Sequence, residues 1–419
     1  MDGTDLPRAD LVVVNAGEVI TCRGSGDDPL GRIGHGVVAI CGEWIVDVGT
    51  AAEVAERVDL SGATPVDAGG GLVAPGFVDC HTHVVFAGSR VEEYAAAVSG
   101  QLQRFHAGHT TGIPASVEMT RAATVDELTD AAAARIEAMF AHGTTTVESK
   151  TGYGLTPEDE LKMLEVNRRL DRELRVDVVS TFLGAHAIPA GMSAKRYTDQ
   201  IVGEMIPRVA EQRLAAFCDV YCDDGYFSAD DSRRILEAGL DAGLAPKIHA
   251  DAYSDQGCAR LAAEIGAVSA DHLNHTGREG MELLATAGVT GVLMPGLDFA
   301  VAHPRPSDAR AMLAAGMTIA LATDLCPGCW LESQQVVMAL AARQYGIPAE
   351  DALLAATVGG ARALALDDRG VLAPGMLADI QIWEADSHLD LIYKLGRNAV
   401  KSVIKRGDVQ VMESVAAMT

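Results

Sequence analysis

The sequence predicts a parallel (β/α)8 barrel, an α/β fold, carrying a small composite β-sandwich built from both chain ends. Three observations lead there. Apolar strand-like runs alternate eight times with Ala-rich amphipathic stretches along the middle of the chain, and short period-two segments punctuated by Gly and Asp occupy both ends. Polar side chains able to ligate a metal recur where the apolar runs stop, which in a barrel is the C-terminal rim where active sites are built.

The N-terminal segment reads as short strands in "DLVVVNAGEVITC" (10–22), "GVVAICGEWIVDVG" (36–49) and "ATPVDAGGGLVAPG" (63–76). The C-terminal segment has the same texture in "GVLAPGMLADIQIWEAD" (370–386) and "VKSVIKRGDVQVME" (400–413), where "KRGD" reads as a hairpin turn. The two ends therefore join one sandwich, with residues 1–73 and 367–419 contributing to it and residues 74–366 forming the barrel.

Within the barrel segment the eight strand candidates are "FVDCHTHVVF" (77–86), "GTTTVESK" (143–150), "DVVSTFLGAHAIP" (177–189), "FCDVYCDD" (217–224), "APKIHAD" (245–251), "AVSADHLNHT" (267–276), "GVTGVLMPG" (288–296) and "TIALATD" (318–324). Helical spacing appears in "TVDELTDAAAARIEAMFAHG" (124–143), "ADDSRRILEAGLDAG" (229–243) and "PAEDALLAATVGGARAL" (348–364). A doubly wound open sheet alternates in the same way, but no GxGxxG follows a first strand.

Composition narrows the function classes. A chain of 419 residues with 48% hydrophobic content can bury a large core, and a formal charge of −25 opposes non-specific contact with nucleic acid phosphates. No apolar run reaches the roughly 18 residues that span a bilayer, and the opening "MDGTDLPRAD" has no basic or apolar leader pattern, so a cytoplasmic protein without membrane partners is expected. The eight cysteines are then expected to be reduced thiols. "CPGC" (326–329) has no second CxxC to complete a zinc site, and Pro-Gly reads as a turn.

His81 and His83 stand one residue apart behind the first apolar run. Residues i and i+2 of a strand share a face, so at a barrel strand's end both imidazoles converge on one point inside the mouth. His186, His249, His272 and Asp324 end four further runs. One His at a strand end is ordinarily a hydrogen-bonded interior residue, whereas five strands each ending in His or Asp predict a shared metal site.

Six stretches, "HTHVVFAGSR" (81–90), "GTTTVESKTGYGL" (143–155), "TFLGAHAIP" (181–189), "PKIHAD" (246–251), "AVSADHL" (267–273) and "ALATD" (320–324), resemble the amidohydrolase superfamily and, within it, the imidazolonepropionase family. That family opens 4-imidazolone-5-propionate to N-formimino-L-glutamate in histidine degradation. The resemblance implies one zinc or iron ion per chain held by His81, His83, His249 and Asp324, with Asp324 also taking the proton of the attacking water. It implies that His272 stabilises the oxyanion or shuttles the proton, that Arg90 grips the carboxylate of a five-membered-ring substrate, and that Tyr153 and His186 make further substrate contacts. The turn after strand eight, with Cys326, Gly328 and Cys329, lines the same pocket, and the assembly is expected to be a homodimer. Lys150 is expected not to bridge two metals.

Three features depart from the family pattern. Ala252 stands where an acidic or amide residue is usual, Cys326 and Cys329 replace an Asn and a Ser with Trp330 beside them, and "HAGHTTGIP" (106–114) replaces a Gly-rich loop in which His106 and His109 are expected to face solvent. Tyr253 or Gln256 could supply the group lost at 252. The alternatives are a different cyclic amide or amidine as substrate, deamination, or a non-catalytic scaffold barrel.

Overall fold

A computed structural model describes residues 6–411; positions 1–5, read above for a leader and as the start of the sandwich, and positions 412–419, the end of its C-terminal segment, lie outside the described residues. Eight parallel strands hydrogen-bond in chain order: Phe77–Asp79, Thr144–Lys150, Asp177–Ala185, Phe217–Cys222, Ala245–Ala250, Ser269–His272, Thr290–Leu293 and Ile319–Leu321, here barrel strands one to eight. Strands one and eight meet just past their ends, where Asp324 N–H donates to the His81 carbonyl (3.1 Å) and His83 N–H to the Leu325 carbonyl (2.9 Å).

The connecting helices start where the sequence supplies caps. Thr124 and Glu127 form a reciprocal capping box for Val125–Ala141, and Ser228 caps Ala229–Asp241. In the first of these, Leu128, Ala132, Ile136 and Met139 fall on one face and are fully buried, the three larger side chains each worth roughly 1.5–3 kcal/mol on leaving water. The stretch expected as one helix over 348–364 is instead Ala349–Leu354, a π-helical turn Ala355–Gly359 and Gly360–Ala363. Close approach explains the glycines. A Cβ on Gly359 would lie 2.3 Å from the Ile319 carbonyl and one on Gly360 2.2 Å from that of Val78, so only glycine lets this segment press on strands eight and one together.

Two further sheets form the composite layer. The first, in spatial order, is Trp44–Thr50, Gly36–Cys41, Leu11–Val14 and Thr64–Asp67; the second mixes both chain ends as Asp408–Val411, Val400–Lys405, Ile380–Trp383, Leu72–Pro75, Glu18–Ile20 and Arg32–Gly34. They share a core in which Val13, Val38 and Ile45 meet Val73, Ile380 and Ile404. The "KRGD" turn is a two-residue hairpin with Arg406 and Gly407 at φ 49° and 79°. The 73/74 boundary read from the sequence falls inside the strand Leu72–Pro75. Trp383 stacks on Phe77 at 5.9 Å, fixing the start of barrel strand one against this layer.

One expectation is corrected. Cys222 and Cys258 are joined as a disulfide, leaving six free cysteines rather than eight reduced thiols. The end of strand four abuts the first turn of the helix Cys258–Ile265, bringing the two Cα atoms to 6.0 Å, a separation suited to a bridge.

Candidate metal centre

The eight strand ends bring the histidines together. His81 and His83 follow strand one, His186 follows strand three, His249 lies in strand five and His272 ends strand six; all are buried. Ring centroids lie 4.6 Å apart for His81 and His249, 5.1 Å for His249 and His272, and 4.8 Å for His83 and His186, which stack nearly flat. Asp324 joins them from strand eight, with Oδ1 3.7 Å from His81 Nε2 and 3.8 Å from His83 Nε2. The backbone is bent to achieve this. Asp251, His272, Leu273 and Asp324 all have φ between 48° and 77°, a left-handed conformation that costs non-glycine residues about 1–3 kcal/mol each and concentrates at functional sites.

Carboxylates below fix the imidazoles. Asp271 takes the His81 Nδ1 contact at 2.6 Å and Asp219 that of His249 at 3.2 Å, leaving both Nε2 atoms buried and without hydrogen-bond partners. Asp324 Oδ1 and His83 Nδ1 are likewise buried and unpartnered. Burial drives the imidazoles of His81, His83 and His249 well below their ordinary range and takes His186 and His272 to about 4, so the rings are neutral and carry free lone pairs. It pushes the Asp324 carboxyl well above the carboxylate range. Neutral imidazoles around a carboxylate that resists ionising alone form a donor set suited to a divalent cation.

Lys150 lies under this cluster and is fully buried. Its Nζ reaches Asp219 (2.7 Å), Glu148 (3.1 Å) and Asp271 (3.2 Å). Burial works against its charge, but the three carboxylates outweigh it and hold the ammonium well above the ordinary lysine range. Lys247, also buried, binds the other Glu148 oxygen at 2.9 Å.

The outer part of the pocket is less as expected. Arg90 already grips a carboxylate, since its Nε and Nη2 bond both oxygens of Glu93 at 2.9 and 2.8 Å, and Glu93 also accepts the Gly112 N–H. Its Nη1 faces the turn after strand eight, where a Cβ on Gly328 would be 3.4 Å away, and a cavity of about 160 Å³ lies beside it between Glu93, Leu102, Val301, Pro327 and Gly328. Cys326 and Cys329 close that turn with reciprocal backbone bonds of 3.0 and 3.1 Å and are buried, while Trp330 is half-exposed. Tyr153 is buried 5.5 Å from His83 and 5.3 Å from His186, and His186 Nδ1 faces the Gly152 carbonyl at 3.2 Å. Ala252 is buried. Tyr253 packs on His303 with its N–H on Asp223, and the exposed Gln256 bonds Ser254. His106 and His109 are exposed, His109 stacked on Phe105.

Several residues of the site were not singled out from the sequence: Glu148, Asp219, Asp271 and Tyr221, whose ring lies 5.4 Å from His249 and 6.2 Å from His272. A signal was present. Strands two, four, five and six each carry two polar residues at i and i+2, Glu148 and Lys150, Asp219 and Tyr221, Lys247 and His249, Ser269 and Asp271, the spacing of side chains that share the barrel interior.

Residues 228–410 match the amidohydrolase family. An imidazolonepropionase of Haloarcula marismortui is 41% identical over 402 residues, covering 96% of each chain, and one of Geobacillus kaustophilus is 41% identical over 417 residues, covering 96% of this chain and 98% of its own. The chain belongs to the imidazolonepropionase family. Solved structures share the fold at low identity: a zinc-bound adenosine deaminase of Xanthomonas campestris at TM-score 0.72 and 19% identity (98% and 96% coverage), and a zinc-bound atrazine chlorohydrolase of Arthrobacter aurescens at 0.70 and 18% (96% and 95%). In this imidazolonepropionase family member Ala252, Cys326 and Cys329 are buried, and ligand atoms of His81, His83 and His249, and of His81, His272 and Asp324, lie within 4.8 Å of one another.

Proposed function

We propose that this chain is a metal-dependent hydrolase that opens 4-imidazolone-5-propionate to N-formimino-L-glutamate, with one zinc or iron ion per chain held by His81, His83, His249 and Asp324. The observation that carries the reading is the set of buried, unpartnered atoms His81 Nε2, His249 Nε2 and Asp324 Oδ1, with His83 Nε2 beside them, in a chain of this family. Each such atom left unpaired costs about 1–3 kcal/mol, which a cation at their centre removes. A divalent ion bound there supplies Lewis acidity that lowers the pKa of a water towards about 7.

The chain's own groups do the rest. Asp324 accepts a proton from the attacking water and returns it to the departing ring nitrogen as the water oxygen bonds the carbonyl carbon and the C–N bond breaks. His272, neutral and 5.5 Å from His81 between ring centroids, donates an N–H to the oxygen that becomes negative. Arg90 offers its free Nη1 edge to the propionate, with Glu93 holding the guanidinium in place. Tyr153, His186, Cys326, Gly328 and Cys329 wall the ring pocket. The family resemblance extends the proposal to a cytoplasmic homodimer acting on a small molecule.

A second reading, hydrolysis or deamination of a different cyclic amide or amidine, draws on the buried Ala252 and on Glu93 already occupying Arg90. Incubating the purified, metal-loaded chain with 4-imidazolone-5-propionate and with hydantoin-type lactams, while following ring absorbance, separates the two. Turnover of the lactams without turnover of the imidazolone transfers the conclusion to the second reading.

A further inference from the structure

Beneath the candidate metal centre lies a second group of side chains whose ligand atoms are all within 4.8 Å of one another, Asp219, His249 and Asp271. On geometry alone this is another cation site, and the Lys150 ammonium reaches into it, 2.7 Å from Asp219 Oδ2 and 3.2 Å from Asp271 Oδ2. The Lys150 backbone N–H is tied to the carbonyl of Thr82, between the two histidines of strand one, at 2.9 Å. Glu148 orients the ammonium from below and is itself held by Lys247.

We propose that Lys150 is a positioning residue acting as a built-in cation: it fills the Asp219–His249–Asp271 group, limits the centre to one metal ion and fixes the tautomers of His81 and His249. Each carboxylate is shared between the ammonium and one imidazole Nδ1, Asp271 with His81 and Asp219 with His249. Nδ1 therefore carries the proton and Nε2 the lone pair in both rings, since a carboxylate already facing an ammonium accepts a hydrogen bond from Nδ1–H. Without Lys150, Lys247 is the buried ammonium that remains at this cluster among the described residues, and it pairs with Glu148 rather than with Asp219 or Asp271. A divalent cation is the natural replacement for the missing charge.

The inference rests on the metal ligation proposed above, and the experiment keeps the two apart. Stripped wild-type chain and stripped Lys150→Met are titrated with zinc and the bound metal is measured after desalting. Wild type is expected to retain one equivalent and Lys150→Met two, with affinity at the first site weakened about 10- to 100-fold. Retention of one equivalent at wild-type affinity by Lys150→Met overturns the role of Lys150 while leaving the ligation intact. Two tight equivalents in wild type overturn the limiting role directly, and none overturns the ligation and this inference together. Should Lys150→Met fail to fold, 15N spectra of histidine-labelled wild type decide, because a proton on Nε2 rather than Nδ1 of His81 or His249 overturns the proposal.

Discussion

The backbone N–H of Asp324 donates to the carbonyl oxygen of His81 at 3.1 Å, so two candidate metal ligands from opposite ends of the barrel segment are also neighbours across the line where the barrel closes. His83 and Leu325 repeat the contact at 2.9 Å, and Asp79 anchors Thr323 through its N–H (3.2 Å) and hydroxyl (2.7 Å). The contacts that close the sheet therefore also hold the site, and the left-handed backbone of Asp324 has such bonds on both sides of it.

Because that link is between main chains, changing the Asp324 side chain leaves it in place. Asp324→Asn is expected to fold with a melting temperature within a few degrees of wild type and to lose at least about 10²-fold in kcat, since an amide cannot take the water's proton. Thermal melts beside steady-state kinetics check both parts. Retained turnover would remove Asp324 from the role of base.

The strands, the hairpin and the histidines were legible because each is a local signal. Apolar runs with polar ends mark barrel strands, "KRGD" marks a two-residue turn, and HxH marks two side chains on one face. What escaped depends on contacts distant in sequence. Cys222 and Cys258 are 36 positions apart, and nothing in either neighbourhood announces that a strand end meets a helix start. The hold of Glu93 on Arg90 is local, three residues on, yet an i,i+3 ion pair says nothing about whether the arginine remains free for a ligand. The polar floor was visible as i,i+2 pairs, but only the barrel shows that Lys150 faces carboxylates from two other strands.

Arg90→Ala is expected to raise KM for the imidazolone about 10- to 100-fold with a smaller change in kcat, because a charge-assisted bond to the propionate is made in ground and transition states alike. Initial rates over a range of substrate concentrations test it. An unchanged KM would mean that Glu93 keeps the guanidinium to itself and the carboxylate is held elsewhere or absent.

Asp177 joins the start of barrel strand three to the composite layer, accepting from Arg369, Lys405 (2.9 Å) and Arg406 (3.1 Å). Burial works against its charge, but Lys405 and the two arginines outweigh it and hold the carboxyl below its ordinary value. Asp177→Ala is expected to cost about 1–3 kcal/mol by removing the carboxylate that the three cations share, while Arg369 keeps Asp368, Lys405 keeps Asp379 and Arg406 keeps Glu43. A group with a depressed folded pKa stabilises above its unfolded pKa and stops doing so as pH falls through the folded one. The stability gap between wild type and variant should therefore be constant above pH of about 5 and shrink below about 4, read from denaturant melts across that range. A gap that widens in acid would refute the clamp.

The disulfide makes a countable prediction. Alkylating the unfolded chain without reductant should modify six of its eight cysteines, and all eight after reduction. The paired change of Cys222 and Cys258 to Ser should lower stability by about 2–4 kcal/mol, the range for closing a loop of this order. Eight labelled thiols without reductant in freshly purified protein would show the bridge is not formed.

Ala252 offers the sharpest test of substrate. The family resemblance implies a group there that hydrogen-bonds the ring, whereas this chain has a buried methyl, with Tyr253 bonding Asp223 and Gln256 bonding Ser254. A ring N–H without a partner costs on the order of 1–3 kcal/mol, or roughly ten- to a hundredfold in rate. If 4-imidazolone-5-propionate is the substrate, wild type should reach kcat/KM of about 10⁴ M⁻¹s⁻¹, and Ala252→Glu should raise it about tenfold or more by supplying the missing acceptor. A buried carboxylate with no ring N–H to meet it would instead be destabilising and slow the enzyme. A rate on the imidazolone that falls in Ala252→Glu, together with a faster wild-type rate on another lactam, would show that the pocket is shaped around a ring that needs no acceptor at 252.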